Sequence, residues 1–391
     1  MSGTSLDGVD AALLEVTEEE VGARPFPRIR WQLRAFLTVP FTAEQRDRIL
    51  ASMAIGGPRE LARLHTELGE WFSEAALALL QGAGVDPSDV SVVGSHGQTL
   101  WHDPPGPGGR GRSLQLGCAA TLAERTGIGV VSDFRARDLA AGGHGAPLVP
   151  WADALLFRSD TGSRVIQNLG GMGNVTWLPG PHDTSSVLAF DTGPGVALLN
   201  AATSLATAGA LFYDVDGGLA RKGVVVPDLL EELLSHPFFR QAPPRSTGRE
   251  TFGPPMVEEG ISWLRENKGL NLERGSPEEG WPDLLATLTA LTARSVGDAC
   301  RTWLVPRGVD EVFVTGGGAR NPALWDALAQ ELEPIPIRSG SDLGMDPDAR
   351  EAAAFALLAW AHVRGIPANV PEATGSRGPR ILGSFTPGDG S

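Results

Sequence analysis

The chain has 391 residues, 42% hydrophobic and 20% charged, with a formal net charge of −15. That length allows two domains with separate cores, and the acidity argues against nucleic acid as a partner. No apolar run reaches bilayer length, the polar start does not read as a secretory signal, and Cys118 and Cys300 are too few for a disulfide framework, so a cytoplasmic protein off the membrane is expected.

The chain opens MSGTSLDGVD, turn chemistry from the first residue, and then AALLEV and WQLRAFLTV read as antiparallel strands. Thr42 and Gln45 have the spacing of a capping box, which predicts a helix over FTAEQRDRIL. A longer helix follows from about Pro58, with Leu61, Leu64, Leu68, Phe72, Ala75 and Leu79 on one stripe. VSVVGSHGQT reads as a short buried strand entering a loop, and DPPGPGGRGR as a surface turn. ATLAERTGI is predicted helical and GVVSDF a strand. The second half repeats the theme: SRVIQNLGGMGNVTWL is strand, glycine turn, strand. VLAF is predicted to end at Asp191, with DTGPG leading into a helix. WPDLLATLTALTARSVGDACRTWL is a long helix, and EVFVTGGGARNP is a strand, a triple-glycine turn and a helix start with Asn321 as N-cap and Pro322 at the first position. EAAAFALLAWAHV is the last helix. Alternation of strands and helices with two antiparallel openings predicts an α/β protein in two related halves.

Three glycine-rich turns, near residues 3–8, 170–173 and 316–318, follow buried strands or open the chain. Glycine lets backbone N–H groups close on an anion, and Thr4, Ser5 and Thr192 add hydroxyls suited to phosphate oxygens. Each turn alone is equally a tight hairpin; together they favour a polyphosphate nucleotide. Neither lysine, Lys222 nor Lys268, stands in a Walker loop, and GGMGNV lacks the full dinucleotide spacing. Asp191, after an apolar strand, is a candidate base or a plain helix N-cap. His96 and Gln98 in GSHGQT either orient a substrate or satisfy loop carbonyls. Glu351, three residues after Asp348, has capping-box spacing.

These motifs, with ERTGIGVVSDFRARDLAAGGHGAPLVP, PPRSTGRE and EAAAFALLA, occur in an order that closely resembles the anhydro-N-acetylmuramic acid kinases, a family of the sugar kinase/Hsp70/actin superfamily. The resemblance implies two ribonuclease-H-like (actin-like ATPase) domains with an interdomain active-site cleft, bounded here as 1–130 plus 352–391 and 131–351. It implies ATP and Mg²⁺, the metal carried by the nucleotide with no protein ligand assigned. The sugar substrate is 1,6-anhydro-N-acetylmuramic acid, converted to N-acetylmuramic acid 6-phosphate in peptidoglycan recycling and amino-sugar metabolism, by a homodimer. On this likeness Gly3, Thr4, Ser5, Leu6, Asp7, Gly8, Val9, Asp10, Gly171, Gly316, Gly317 and Gly318 bind ATP. Asp191 is the catalytic base, and His96, Gln98, Arg137 and Glu351 stand on the substrate side.

The sequence departs from the family pattern at several points. Val196 and Asn200 stand where Asn and Asp are usual, Cys118 replaces an aspartate, and Arg245 replaces a lysine. A related kinase of shifted substrate is therefore a second reading, and a nucleotide-driven actin- or Hsp70-like binding module a third. Relatives carry an apolar strand before the matching methionine, so the true start is expected upstream of Met1.

Overall fold

The computed structural model describes all residues except 4, 5, 21–25, 107, 108, 184, 185, 390 and 391. It divides into two compact units, Met1–Phe157 with Asp348–Ser391, and Arg158–Pro347. In chain order the strands are β1 (Gly8–Glu20), β2 (Arg28–Pro40), β3 (Val93–Gly94), β4 (Gln98–Asp103), β5 (Arg112–Leu116) and β6 (Val130–Ser132) in the first unit. The second unit holds β7 (Arg164–Leu169), β8 (Met172–Leu178), β9 (Leu188–Pro194), β10 (Glu311–Thr315) and β11 (Ile337–Ser339), and β12 (Ser384–Thr386) lies back in the first.

The second unit is built on one five-stranded sheet in the order β11-β10-β7-β8-β9. β7, β8 and β9 form an antiparallel meander, while β10 and β11 run parallel to β7. This is the ribonuclease-H-like order, and it puts the carboxyl ends of β7, β9, β10 and β11 on one edge. Helix Trp281–Ala299 covers the sheet because Leu284, Leu288 and Leu291 recur at helical spacing. All three are fully buried, in one core with Val165, Val175 and Trp177. Asn321 caps helix Pro322–Leu332 through Ala323 and Leu324, as its position before Pro322 predicts.

The first unit holds smaller pieces: the antiparallel β1–β2 ladder, the β4–β5 hairpin and a sheet in the order β12-β6-β3. The Thr42–Gln45 capping box is formed in full. Helix Pro58–Ala83 buries Leu64, Leu68, Phe72, Ala75 and Leu79. The expected boundary at 130/131 falls inside β6, which pairs with β3 on one side and β12 on the other. Cutting there would break a sheet, so 131–157 stay with the first unit.

Two buried carboxylates hold this unit together. Asp153, fully buried on helix Val149–Phe157, takes Arg350 as a bidentate partner, Nε to Oδ1 at 2.9 Å and Nη2 to Oδ2 at 2.5 Å. Asp138 accepts from the Gly145 amide, Asn369 Nδ2 and Thr374 Oγ1 at 2.8–2.9 Å, which fastens the GGHGAP loop to the C-terminal segment. The pairing of Arg350 corrects the expected capping box at Asp348 and Glu351. A 3₁₀ turn, Pro347–Ala349, runs straight into the helix Arg350–Val363, and its N-cap, Ala349, makes no side-chain bond.

Asp153→Ala removes the bidentate partner of the buried Arg350 guanidinium, which costs about 3–5 kcal/mol. The urea midpoint of the first unit falls accordingly, and Asp153→Leu with Arg350→Met recovers most of it. A loss below about 1 kcal/mol, the range of exposed ion pairs, would show the pair to be solvated.

Candidate functional site

Met1–Gly3 lies back against Gly8–Asp10. The Met1 nitrogen donates to the Asp10 carbonyl at 2.9 Å and the Asp10 amide returns a bond to Met1 at 2.8 Å. Fully buried Ser2 places its hydroxyl 3.1 Å from the Gly8 carbonyl and 2.5 Å from Gln98 Oε1. Gln98 Nε2 donates to Gly3 and Thr99 carbonyls, so this side chain is committed to holding the hairpin against β4. Gly8 admits no side chain, because a Cβ would lie 2.4 Å from the Val39 carbonyl oxygen. Leu6 and Val9 bury their side chains in the core and face any ligand only with backbone. Thr4 and Ser5 lie outside the described residues. Asp10 accepts from Thr38 Oγ1 at 2.6 Å, and burial holds its carboxyl above the usual range despite that bond.

Behind the hairpin, His96 and Arg135 form a pair. Arg135 Nη2 lies 2.9 Å from His96 Nε2, and a guanidinium can only donate. His96 is therefore neutral with its proton on Nδ1, given to the Gly97 carbonyl at 2.9 Å. Burial, then the Arg135 charge, push the imidazole down to about 3. Arg135 Nη1 donates to Gly145, while its Nε is buried without a hydrogen-bond partner among the described residues. Glu351 joins this charge cluster: burial raises its carboxyl against the pull of Arg350 and Arg135, with Asp10 adding to the rise. Arg137, the arginine singled out from the sequence, is exposed on the short helix Ala136–Ala140, while Arg135, two positions earlier, contacts His96 and Gly145.

In the second unit the glycine turns meet at the carboxyl edge of the sheet, where α/β proteins gather ligands. The Gly195, Val196 and Ala197 amides all donate to the carbonyls of Gly170 and Gly171. Gly316, at φ 79°, packs where a Cβ would lie 2.6 Å from Asn168 Oδ1, while Gly317 has open space around it. A Cβ on Gly171 would meet nothing nearer than the Arg249 guanidinium, at 3.8 Å. An open glycine backbone beside an exposed arginine fits phosphate oxygens. Arg249 is a residue that the sequence reading missed; its place in PPRSTGRE was the available signal.

Asp191 is not the helix N-cap. β9 continues past it to Pro194, and the following helix begins at Ala197 with Val196 at the cap. The carboxylate accepts the Thr247 amide on Oδ2 at 2.8 Å, and Oδ1 accepts no bond from any described residue. Thr247 Oγ1 is buried without a hydrogen-bond partner among the described residues. Burial raises the Asp191 carboxyl to about 6, against the Thr247 bond and the Arg245 charge. Arg245 does not reach the carboxylate: Nε donates to the Asp191 carbonyl at 2.9 Å and Nη1 to the carbonyls of Phe238, Phe239 and Gln241. It clamps the loop that carries Thr247 against β9. Cys118 likewise has a structural place, as N-cap of helix Ala119–Thr126.

A ribonuclease-H-like sheet with glycine turns and a desolvated carboxylate at its carboxyl edge defines the class of sugar kinases and actin-like ATPases. The profile of the anhydro-N-acetylmuramic acid kinases matches residues 1–388. Proteins of that name from Gloeobacter violaceus (42% identical, 99% of this chain and 97% of the relative) and Acidithiobacillus ferrooxidans (43%, 100% and 91%) align along nearly the whole length. One from Caldanaerobacter subterraneus is 39% identical over 99% of this chain and 95% of its own. The chain belongs to the anhydro-N-acetylmuramic acid kinase family.

A carboxyl whose native pKa lies above its unfolded value binds its proton more tightly when folded. Its contribution to stability is full below about pH 4 and is lost as pH rises through about 6. Asp191→Asn removes that loss, so above pH 7 the variant is the more stable by at most about 3 kcal/mol. Denaturation at pH 5 and pH 8 checks it; a variant less stable than wild type at pH 8 contradicts the shift.

Proposed function

We propose that the chain uses ATP and water to open 1,6-anhydro-N-acetylmuramic acid and phosphorylate it at O6, giving N-acetylmuramic acid 6-phosphate and ADP. O6 is tied into the anhydro bridge, so no free hydroxyl stands there to attack phosphorus. Water adds to the anomeric carbon, the C1–O6 bond breaks, and O6 takes the γ-phosphoryl group. Asp191 accepts the proton that water gives up. The observation that carries this reading is the Asp191 carboxylate, held on Oδ2 by Thr247 and open on Oδ1, in a chain that matches the family from end to end. Its raised pKa makes it a better base than an exposed aspartate while leaving it ionised at neutral pH.

The backbone of the 3–10 hairpin and the turns at Gly171 and Gly316–Gly318 are the groups we assign to the nucleotide phosphates, with Arg249 adding charge. Mg²⁺ bound with the nucleotide neutralises charge on the phosphoryl oxygens. Glu351 and Arg135, the latter steadied by His96, are assigned to the sugar side. The reading carries with it a cytoplasmic homodimer acting in peptidoglycan recycling; among the described residues no helix is long and apolar enough to cross a membrane. A shifted substrate, suggested by Cys118 and Val196, gains no support from the cap role of Cys118.

Incubation with ATP, Mg²⁺ and the anhydro-sugar yields a product heavier by phosphate and water together; a gain of phosphate alone rejects the ring-opening chemistry. Asp191→Asn lowers kcat by about 10²–10⁴-fold while nucleotide affinity is kept. A near-normal rate would remove Asp191 as the base. For the wild type, kcat/KM falls as pH drops through about 6, because the base must be ionised.

A further inference from the structure

One amide lies in the core of the second unit where an apolar side chain would be the ordinary choice. Gln167 is fully buried on β7. It projects on the same face as Val165 and Leu169, which share one apolar core with Leu284 and Leu288 of helix Trp281–Ala299. Its Oε1 has no hydrogen-bond partner among the described residues. A buried acceptor left so costs stability that a leucine of similar size would not.

The other end of the amide is fully engaged. Nε2 donates to the Asn168 carbonyl at 3.1 Å and to Thr192 Oγ1 at 3.2 Å. A carbonyl can only accept, so the nitrogen and not the oxygen of the amide stands on this side. Thr192 belongs to β9, two strands away, with β8 between. The reach is open because β8 carries Gly173 there. A Cβ on Gly173 would lie 2.6 Å from Thr192 Oγ1 and 3.5 Å from Gln167 Nε2. Thr192, whose hydroxyl suits a phosphate oxygen on sequence grounds, is itself fully buried and bonded to this amide.

Thr192 is also the extra residue of a β-bulge. Asn174 pairs with Asp191 and Gly173 with Gly193, so Thr192 has no partner on β8. A bulge bends its strand, adds local twist and re-aims the side chain beside it. That side chain is Asp191. The Arg245 carbonyl and the Thr247 amide hold Asp191 from the outer side of β9. The bond from Gln167 holds the bulge from the inner side. Through the Asn168 carbonyl the same amide is tied to the end of β7 that leads into the 170–171 turn.

We propose that Gln167 is a positioning residue for the base. Reaching through the gap at Gly173, it locks the bulge at Thr192 and so fixes the direction of the Asp191 carboxylate. An unsatisfied amide oxygen in the core is the structural consequence. The inference rests on Asp191 acting as the base.

The test makes both ends of the bond apolar, Gln167→Leu with Thr192→Val, beside each single variant and Thr192→Ser. It measures kcat, KM, the pH profile and the melting midpoint. Replacing both partners of a buried hydrogen bond leaves neither end of it unpaired, so the double variant melts within a few degrees of the wild type or above it. Its kcat falls about 10–100-fold, the effect of a small misplacement of a catalytic group, while both KM values change by less than about twofold. The acid limb of kcat/KM moves below about pH 6, because water reaches the loosened carboxylate. Each single variant is about as slow as the double, since all three lack the same bond. Thr192→Ser keeps the acceptor and most of the rate.

A double variant at the wild-type rate overturns the proposal, as do losses that simply add between the two singles. So does a melting midpoint that drops by more than about ten degrees in step with activity, which would make the amide an ordinary core strut. Failure of the base assignment reads differently, because Asp191→Asn would then keep its rate. An inactive Asp191→Asn beside a fully active double variant removes the role of Gln167 alone.

Discussion

The candidate site of the second unit rests on keeping one carboxylate dry and still. Asp191 leaves the sheet edge at a point where its own backbone pairs with residue 245 in both directions, amide to carbonyl at 3.0 Å and guanidinium Nε to carbonyl at 2.9 Å. Arg245 gathers three further carbonyls and stacks over Phe190 and Phe238. A single buried cation so placed costs desolvation, and its carbonyl partners offset that cost only while the loop stays folded. The Thr247 amide is thereby aimed at Oδ2, and Oδ1 accepts no bond from any described residue. Raising the pKa and fixing the rotamer come from the same enclosure.

In the first unit the buried polar side chains fix backbone rather than a side chain, holding Met1–Gly3 against Gly8–Asp10 and β4. Ser2 and Gln98 bind one another and the carbonyls of Gly3 and Gly8. Farther back, neutral His96 accepts from Arg135, so the guanidinium is held by an imidazole that carries no competing charge. Asp138 and Asp153 do similar service for the loops around them. These buried polar side chains act as structural struts, as the cost of burying an unpaired group favours, although Arg135 Nε finds no partner among the described residues.

Much of the architecture was legible because its signals are local. The Thr42–Gln45 box, the Asn321–Pro322 helix start and the leucine stripe of the helix from Pro58 each depend on a few neighbouring residues, and each formed as read. Where distant partners decide, the reading failed. Glu351 looked like half of a capping box, but the helix start belongs to Arg350 and its bond to Asp153, 197 positions away in sequence. Residues 131–157 looked like the start of a second domain until β12, near the chain's other end, paired with β6.

The sequence by itself determined the family and the glycine turns, because a motif in order is a one-dimensional fact that needs no contact to be true. Only the tertiary structure decided what each of those groups is free to do. Gln98 is spent on Ser2, His96 is spent on Arg135, and Asp191 retains one open oxygen, because hydrogen-bonding capacity is finite and its allocation is made between residues far apart in the chain.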